Sequence, residues 1–152
     1  MCGFSCHMVC RIAFVCVFTA VSFSCIRPGS EEKFIKARNM SADSAYVFPA
    51  DMSYDDCLYD VYLYTVIERD TISIGRVPFS VTWISPSGEI YREKVYMRES
   101  DKVHDSFSGR QYKALYRTGL KPSEYGLWSV RIKTGFAVPG MLGVGLMVKD
   151  VH

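Results

Sequence analysis

The second half of the chain contains short runs in which apolar and polar residues alternate. In residues 77–84 the larger apolar side chains stand at every second position, at Val77, Phe79, Val81 and Trp83. Residues 127–133 repeat the pattern, with Trp128, Val130 and Ile132 separated by Ser129, Arg131 and Lys133. A period of two places one set of side chains in a core and the other in water, so both runs are predicted to be half-buried β-strands.

Further runs rich in Tyr, Val, Ile, Phe and Thr are bounded by Gly, Pro, Ser or Asp and are also predicted to be strands. The complete set of predicted strands is 45–49, 57–67, 77–84, 89–97, 111–117, 126–134 and 143–149. Residues 58–67 are apolar on both faces, which is typical of a strand that is central or covered by another element. Gly143 and Gly145 in the last strand indicate a bulge or a close backbone approach.

These strands predict an all-β fold, an immunoglobulin-like or Greek-key antiparallel β-sandwich of about seven strands. Residues 85–88, SPSG, have the residue types of a hairpin turn. Tyr125 stands just before the strand that contains Trp128, where a Greek-key sandwich can bond a tyrosine hydroxyl to upstream backbone. The alternative is an ordinary surface tyrosine. Residues 100–109 are predicted to be the least ordered part of the domain.

The N-terminal region has a different pattern, because residues 12–24, IAFVCVFTAVSFS, are uncharged and follow Arg11. This arrangement is typical of a secretory signal-peptide helix, and it is too short to span a bilayer comfortably. The run ends VSFSC, and a small residue before Cys25 resembles a bacterial lipobox, in which the cysteine sulfur receives a diacylglycerol. Cys25 is therefore the predicted lipidation site. Ordinary cleavage after Ser22 or Ser24, or an uncleaved anchor, are the alternatives.

The chain is thus predicted to comprise a lipoprotein signal peptide at 1–24, a lipid-anchored tether at 25–45 and a β-sandwich domain at 46–152. The tether is polar, contains Pro28 and Gly29, and shows no sustained period. Buried acyl chains contribute about 0.8 kcal/mol per methylene, so a diacyl anchor on Cys25 would hold the domain firmly on a membrane.

Composition excludes several classes of function. The chain has 18 Lys and Arg against 16 Asp and Glu, and this balance argues against a nucleic-acid binder. The three histidines, His7, His104 and His152, are scattered, which argues against a histidine metal site or a Ser-His-Asp centre. The compact acidic group lacks the spacing of a calcium loop and is predicted to be solvated: Asp51, Asp55, Asp56 and Asp60. We expect no enzymatic activity, no cofactor and no metal.

Tyrosine and cysteine leave two questions open. The chain has ten tyrosines, and a carbohydrate- or peptide-binding role on the Tyr-rich strands is the alternative to a domain without a small-molecule ligand. Replacing Tyr62 or Tyr91 by Ala would test that role. Cys57, the one cysteine beyond the leader, is predicted to be a small buried apolar side chain. The alternative is a reactive or intermolecular thiol.

A family resemblance rests on the lipobox and on two segments of the domain. Residues 126–151 read GLWSVRIKTGFAVPGMLGVGLMVKDV, with Gly-x-Trp, an alternating strand, a short loop and then Pro-Gly-x-x-Gly-Val-Gly-Leu-x-Val. Upstream, residues 59–63, YDVYL, open the long apolar strand. Together these features resemble the gliding-motility-associated lipoproteins of the H type, found in Bacteroidetes-group bacteria.

The resemblance implies a lipoprotein of the cell envelope, most often of the outer membrane, on its periplasmic or surface face. It implies a supporting role in gliding-motility or related secretion machinery, with envelope proteins as partners and the membrane bound through Cys25. It implies no catalytic residues.

Overall fold

The structure is a computed structural model that describes residues 29–71, 75–107 and 109–151. Within these residues it contains nine β-strands and two short 3-10 turns, at Ala37–Asn39 and Glu99–Asp101. The strands β1 to β9, in chain order, are Ser30–Lys36, Tyr46–Met52, Leu58–Ile67, Arg76–Ile84, Ile90–Arg98, Lys102–Ser106, Gly109–Leu120, Gly126–Thr134 and Met141–Val151.

The strands form two antiparallel sheets. The five-stranded sheet has the order β1-β9-β3-β7-β6, and the four-stranded sheet has the order β2-β8-β4-β5. Six of the eight connections cross between the sheets, and the exceptions are the hairpins β4–β5 and β6–β7. The prediction of an all-β antiparallel fold is confirmed, and all seven predicted strands are present as β2 to β5 and β7 to β9. The apolar strand β3 lies at the centre of its sheet, as its two-sided pattern predicted.

The two sheets share one hydrophobic core, which the alternating residues fill from both sides. The four-stranded sheet contributes the predicted inward set, including Phe79, Val81, Trp83, Val130 and Ile132, and the five-stranded sheet contributes Tyr59, Val61, Leu63, Val144 and Leu146. Each of these side chains is buried. Full burial of an aliphatic or aromatic side chain contributes roughly 1.5–3 kcal/mol, so this shared core is the main reason that the two sheets stay together.

The glycines of β9 confirm the predicted close approach. Tyr64 of β3 packs its ring directly on Gly145, and Phe34 of β1 stacks on Tyr64 with 5.8 Å between ring centroids. A Cβ at Gly145 would overlap the Tyr64 ring. The predicted bulge is also present, because the register with β3 shifts between Val66 and Ile67. Glycine is therefore required here by the aromatic stack on the outer face.

The predicted tether over 25–45 is corrected for residues 30–36. These residues form β1, which pairs with β9 along its whole length, from Ser30 opposite Lys149 to Lys36 opposite Gly143. Only Ile35 of β1 packs against the core. The strand is held mainly by backbone hydrogen bonds, so it has little apolar periodicity to reveal it. The predicted signal peptide and Cys25 lie outside the described residues.

The segment predicted to be least ordered, 100–109, also contains a strand. β6 pairs with the first residues of β7, and most of its side chains are exposed. The prediction for Tyr125 as a corner residue is not supported. Its side chain is 43% exposed, and no hydrogen bond from its hydroxyl is found among the described residues. The neighbouring Glu124 carbonyl instead accepts a bond from Trp128 Nε1 at 2.9 Å.

Candidate functional site

An aromatic cavity lies between the sheets, on the side where β5 and β7 are neighbours. Trp83 and Trp128 meet edge to face with centroids 6.2 Å apart, and Tyr91 lies 6.0 Å from Trp128. Both tryptophans are buried, whereas Tyr91 is 44% exposed at the mouth. The cavity is about 270 Å³, and its other lining residues include Met52, Leu120, Lys121 and Pro122. This volume suits one large side chain or one sugar ring better than a drug-sized ligand.

A chain of hydrogen bonds crosses between the sheets at one end of this cavity, which is lined by Trp83, Glu93 and Arg117. Trp83 Nε1 donates to the Tyr116 hydroxyl at 2.9 Å, and that hydroxyl donates to the Glu93 carboxylate. Arg117 donates to the other oxygen of Glu93. Because Trp83 and Glu93 belong to the four-stranded sheet and Tyr116 to the other, the chain fixes the spacing between the sheets on this side.

Glu124 holds the loops at the mouth of the cavity. Its carboxylate accepts hydrogen bonds from Ser85 Oγ at 3.0 Å and from the Ser87 backbone N–H at 3.0 Å. The Ser87 hydroxyl also donates to this carboxylate. The three hydrogen bonds lower the pKa of Glu124 below its ordinary value, and the bond from the Ser87 hydroxyl has the largest effect. The arrangement ties the β4–β5 turn to the β7–β8 loop, so Tyr91 and Trp128 stand on connected segments.

A second, shallower cavity of about 400 Å³ continues along the same side. It lies between β5 and β7, and it meets the first at Glu93 and Arg117, which line both cavities. Its other lining residues include Lys94, Tyr96, Arg98, Asp101 and Leu115. We call the two cavities together the β5–β7 groove.

The balanced total charge conceals an uneven distribution. The outer face of the four-stranded sheet presents a set of cations on three adjacent strands: Arg76, Arg92, Lys94, Arg98, Arg131 and Lys133. Arg131 and Lys133 share one counter-ion, the carboxylate of Asp43, at 2.5 Å and 3.1 Å. Arg92 and Lys94 have no ion pair within the part of the chain that the structure describes. The face beside β5 is therefore basic.

The two tyrosines singled out from the sequence lie on different sheets. Tyr91 lines the aromatic cavity. Tyr62 is on the outer face of the five-stranded sheet, where Lys113 Nζ lies 4.7 Å from its ring centroid. The two rings therefore cannot belong to one stacking platform, and of the two it is Tyr91 that lines the aromatic cavity.

The remaining candidate residues have structural places. Cys57 is buried, as predicted from its setting, and forms no disulfide within the described residues; its thiol lies 3.3 Å from an Asp56 oxygen. Asp60 accepts the Gly119 N–H at 2.9 Å, and Asp51 accepts the Ser53 N–H at 3.1 Å. His104 is exposed on β6. In residues 29–71, 75–107 and 109–151, no group of three or more His, Cys, Asp or Glu side chains is placed to hold a metal.

Sequence reasoning missed the aromatic cavity, although one signal for it exists. The hairpin turn at 85–88 was predicted, and it brings Trp83 close to the start of β5. The observed loop is one residue shorter, because Ser85 pairs with Glu89, and this register places Trp83 opposite Tyr91. The partners Tyr116 and Arg117 come from the other sheet, and no local pattern places them there.

No protein-family model matches the chain, and the search of curated proteins also found no match. Over the described ranges, the structure has no helix with the length and apolar content needed to cross a membrane.

Proposed function

We propose that the protein is a lipid-anchored, non-enzymatic component or adaptor of gliding-motility or secretion-type machinery in a bacterial cell envelope, located at the outer membrane. The observation that carries this proposal is the cysteine at position 25, directly after a small residue and an apolar run. A diacyl chain on that sulfur would hold the domain at a membrane surface.

The described domain supports the adaptor part of the proposal. Its carboxylates serve structure: Asp43, Asp60, Glu93 and Glu124 each bind backbone or side-chain groups of other segments. The segments that carry the family resemblance form β8, β9 and the start of β3, where Gly145 and Trp128 determine packing. These residues therefore argue for a shared fold, and the partner surface must be sought elsewhere.

We also propose which type of β-sandwich the fold is. If β6 is set aside, β1-β9-β3-β7 face β2-β8-β4-β5, and nearly every connection crosses between the sheets. A Greek-key sandwich of the jelly-roll type has such crossings, whereas immunoglobulin domains keep more pairs of consecutive strands within the same sheet. We therefore favour the jelly-roll form of the Greek-key sandwich.

Palmitate labelling tests the anchor. We expect the wild-type chain, expressed in a Gram-negative host, to incorporate radiolabelled palmitate, and Cys25→Ala to lose the label because the acceptor sulfur is gone. Cys57→Ala is the matched control and should keep the label, since Cys57 is buried in the domain. An unlabelled wild-type protein would contradict the lipoprotein assignment, and envelope crosslinking that recovers no protein partner would contradict the adaptor role.

The alternative is a carbohydrate- or peptide-binding envelope lipoprotein, and the aromatic cavity beside Tyr91 is the observation that favours it. A specific hit on a glycan array that is lost in Tyr91→Ala and kept in Tyr62→Ala would support a sugar ligand. Tyr62 is a suitable control because it lies on the opposite sheet.

A further inference from the structure

Within residues 29–71, 75–107 and 109–151, no strand pairs with the outer edge of β5, so the backbone groups on that side have no strand partner. Residues of an antiparallel strand alternately face the partner strand and face away from it. Ser85 N–H donates to Glu89 O at 2.9 Å, so the register assigns the odd-numbered residues of β5 to β4. The even-numbered residues Ile90, Arg92, Lys94 and Tyr96 consequently direct their N–H and C=O groups outward. Arg98 N–H also faces outward, and the Asp101 carboxylate accepts it at 2.7 Å.

This edge differs from the other edges of the sheets. β5 has nine residues and no proline, whereas β2 contains Pro49, and β1 and β6 have seven and five residues. The second half of β7 is also an edge, but its register with β3 shifts twice between Leu115 and Leu120, and such bulges disrupt an edge. Long free edges are templates for pairing with another extended chain, and proteins commonly shorten them or place proline in them. β5 is therefore the edge best suited to accept a strand.

The surroundings of β5 define the chemistry of such a strand. On the outer face, its side chains would lie beside Arg92 and Lys94, which favours acidic residues. On the inner face, every second side chain would point into the β5–β7 groove. There the aromatic cavity beside Tyr91 can take one apolar side chain. The two faces together favour a strand with acidic residues at alternate positions and, on its other face, an apolar residue at the aromatic cavity.

We propose that the free edge of β5 pairs with an extended segment of a partner polypeptide in which apolar and acidic residues alternate, and that one apolar side chain of this segment fills the cavity beside Tyr91. This mode of recognition takes affinity from main-chain hydrogen bonds and specificity from alternate side chains. The inference deepens the adaptor role proposed above and rests on it for the partner's presence in the envelope.

The cations of β5 also have a protective role, because lysine and arginine on an edge strand discourage aggregation. That role is selective. Two copies of β5 would bring Arg92 and Lys94 of one chain beside those of the other, and like charges in register are unfavourable. The side chains of an acidic strand would instead be attracted to Arg92 and Lys94. The same residues therefore exclude self-pairing and favour the proposed partner.

The test uses the full chain in detergent and two fluorescent peptides of identical composition. One is EVEVEYEVEV, in which acidic and apolar residues alternate, and the other is the block sequence EEEEEVVVVY. Fluorescence anisotropy should show at least about tenfold tighter binding of the alternating peptide, and the affinity should fall as salt is raised. Equal binding of the two peptides, or binding of neither, would overturn the proposal.

Lys94→Pro tests the backbone, because residue 94 directs its N–H outward and proline there removes no bond to β4. Lys94→Gln is the matched control for the lost charge. We expect Lys94→Pro to bind the alternating peptide about tenfold more weakly than Lys94→Gln does. A peptide N-methylated at alternate residues gives the same information on the wild-type chain, should the proline variant fail to fold. If neither change weakens binding, no strand is added at β5.

A carbohydrate polyanion is the competing occupant, and polygalacturonate is its probe. Tight binding of polygalacturonate that displaces the peptide and persists in Lys94→Pro would show charge recognition without strand pairing, and would overturn the inference. These measurements need no lipid. Failure of palmitate labelling with intact peptide binding would therefore reject the proposed anchor and leave the β5 site standing.

Discussion

The two lateral sides of the sandwich differ in how far their edge strands are covered by other parts of the chain. On one side the edges belong to β1 and β2, which are consecutive in the chain and joined by residues 37–45. There Asp43 reaches Arg131 and Lys133 of β8, and Pro49 interrupts the donors of β2. On the other side β5 and the second half of β7 are not joined directly, and the described residues place no strand beyond either of them. We call these the closed side and the open side.

The difference shows how one fold can cover the strand edges on one side and leave those on the other side accessible to a partner. The closed side is sealed by a chain connection, ion pairs and an aromatic stack on the neighbouring outer face. The open side is spanned by the hydrogen bonds that join Trp83, Tyr116, Glu93 and Arg117, with a cavity on each side of them. Substitutions at buried contacts on either side should therefore affect folding, whereas substitutions at the exposed edge of the open side, such as Lys94, should affect binding more than stability.

The largest effect is expected on the closed side, at Gly145. Gly145→Ala forces a Cβ into the Tyr64 ring, so the ring and its partner Phe34 must move. We expect a loss of about 2–3 kcal/mol in the free energy of unfolding, measured by urea denaturation. Gly29→Ala is the control, because nothing lies within 4 Å of a Cβ there, and it should change stability by less than about 0.5 kcal/mol. A loss that small in Gly145→Ala would show that the stack does not seal the side.

A smaller effect is expected at the span of the open side. Tyr116→Phe removes the hydroxyl that accepts from Trp83 and donates to Glu93. We expect a loss of about 1–2 kcal/mol, because the buried indole N–H keeps no acceptor, and thermal unfolding would measure it. Tyr125→Phe, at an exposed hydroxyl, should be nearly neutral. If the two variants are equally stable, the cross-sheet chain does not hold the open side.

The smallest effect is expected at the ion pairs of the closed side, and it depends on pH. Hydrogen bonds from Ser41 and Lys133, with the charge of Arg131, hold the pKa of Asp43 well below its ordinary value. A carboxyl with a lowered folded pKa stabilises the fold above its unfolded pKa, about 3.9, and loses that contribution as the pH falls further.

Wild type should therefore be slightly more stable than Asp43→Asn at pH 7 and low salt, and the difference should shrink below about pH 4 and in 1 M NaCl. Acid and urea titrations of both proteins would measure it. Asp55→Asn, an exposed carboxylate in a loop, is the control and should behave as wild type. A difference that is independent of pH would exclude the carboxylate charge as its cause.

Sequence patterns predicted the strands that face the core and missed those held by backbone alone. β4 and β8 alternate cleanly because every second residue is buried, and their predicted bounds are within one residue of the observed ones. β1 directs only Ile35 to the core, and all of β6 is at least partly exposed. A strand that pairs at an edge without filling a core has no hydrophobic period, so its sequence resembles a linker.

The site was less accessible to such reasoning than the fold. Tyr91 and the two tryptophans were recognised as notable residues, but their convergence depends on which strands become neighbours. Glu93 and Arg117 are 24 positions apart and appear as ordinary surface charges until β5 and β7 face each other. The free edge of β5 is likewise a property of the strand order, because the sequence of β5 alone does not show whether another strand pairs with it.

The pairing of β1 bears on how mechanical force would enter the protein. With a lipid on Cys25, only residues 26–29 separate the anchor from Ser30, and five Cα-to-Cα steps reach at most about 18 Å. Tension from the membrane would therefore reach β1 directly and load its hydrogen bonds to β9. A force along the strand would load these bonds together, whereas a force perpendicular to the strand would break them one residue at a time. With such an anchor, the domain would act as a short, stiff link between the membrane and whatever it binds.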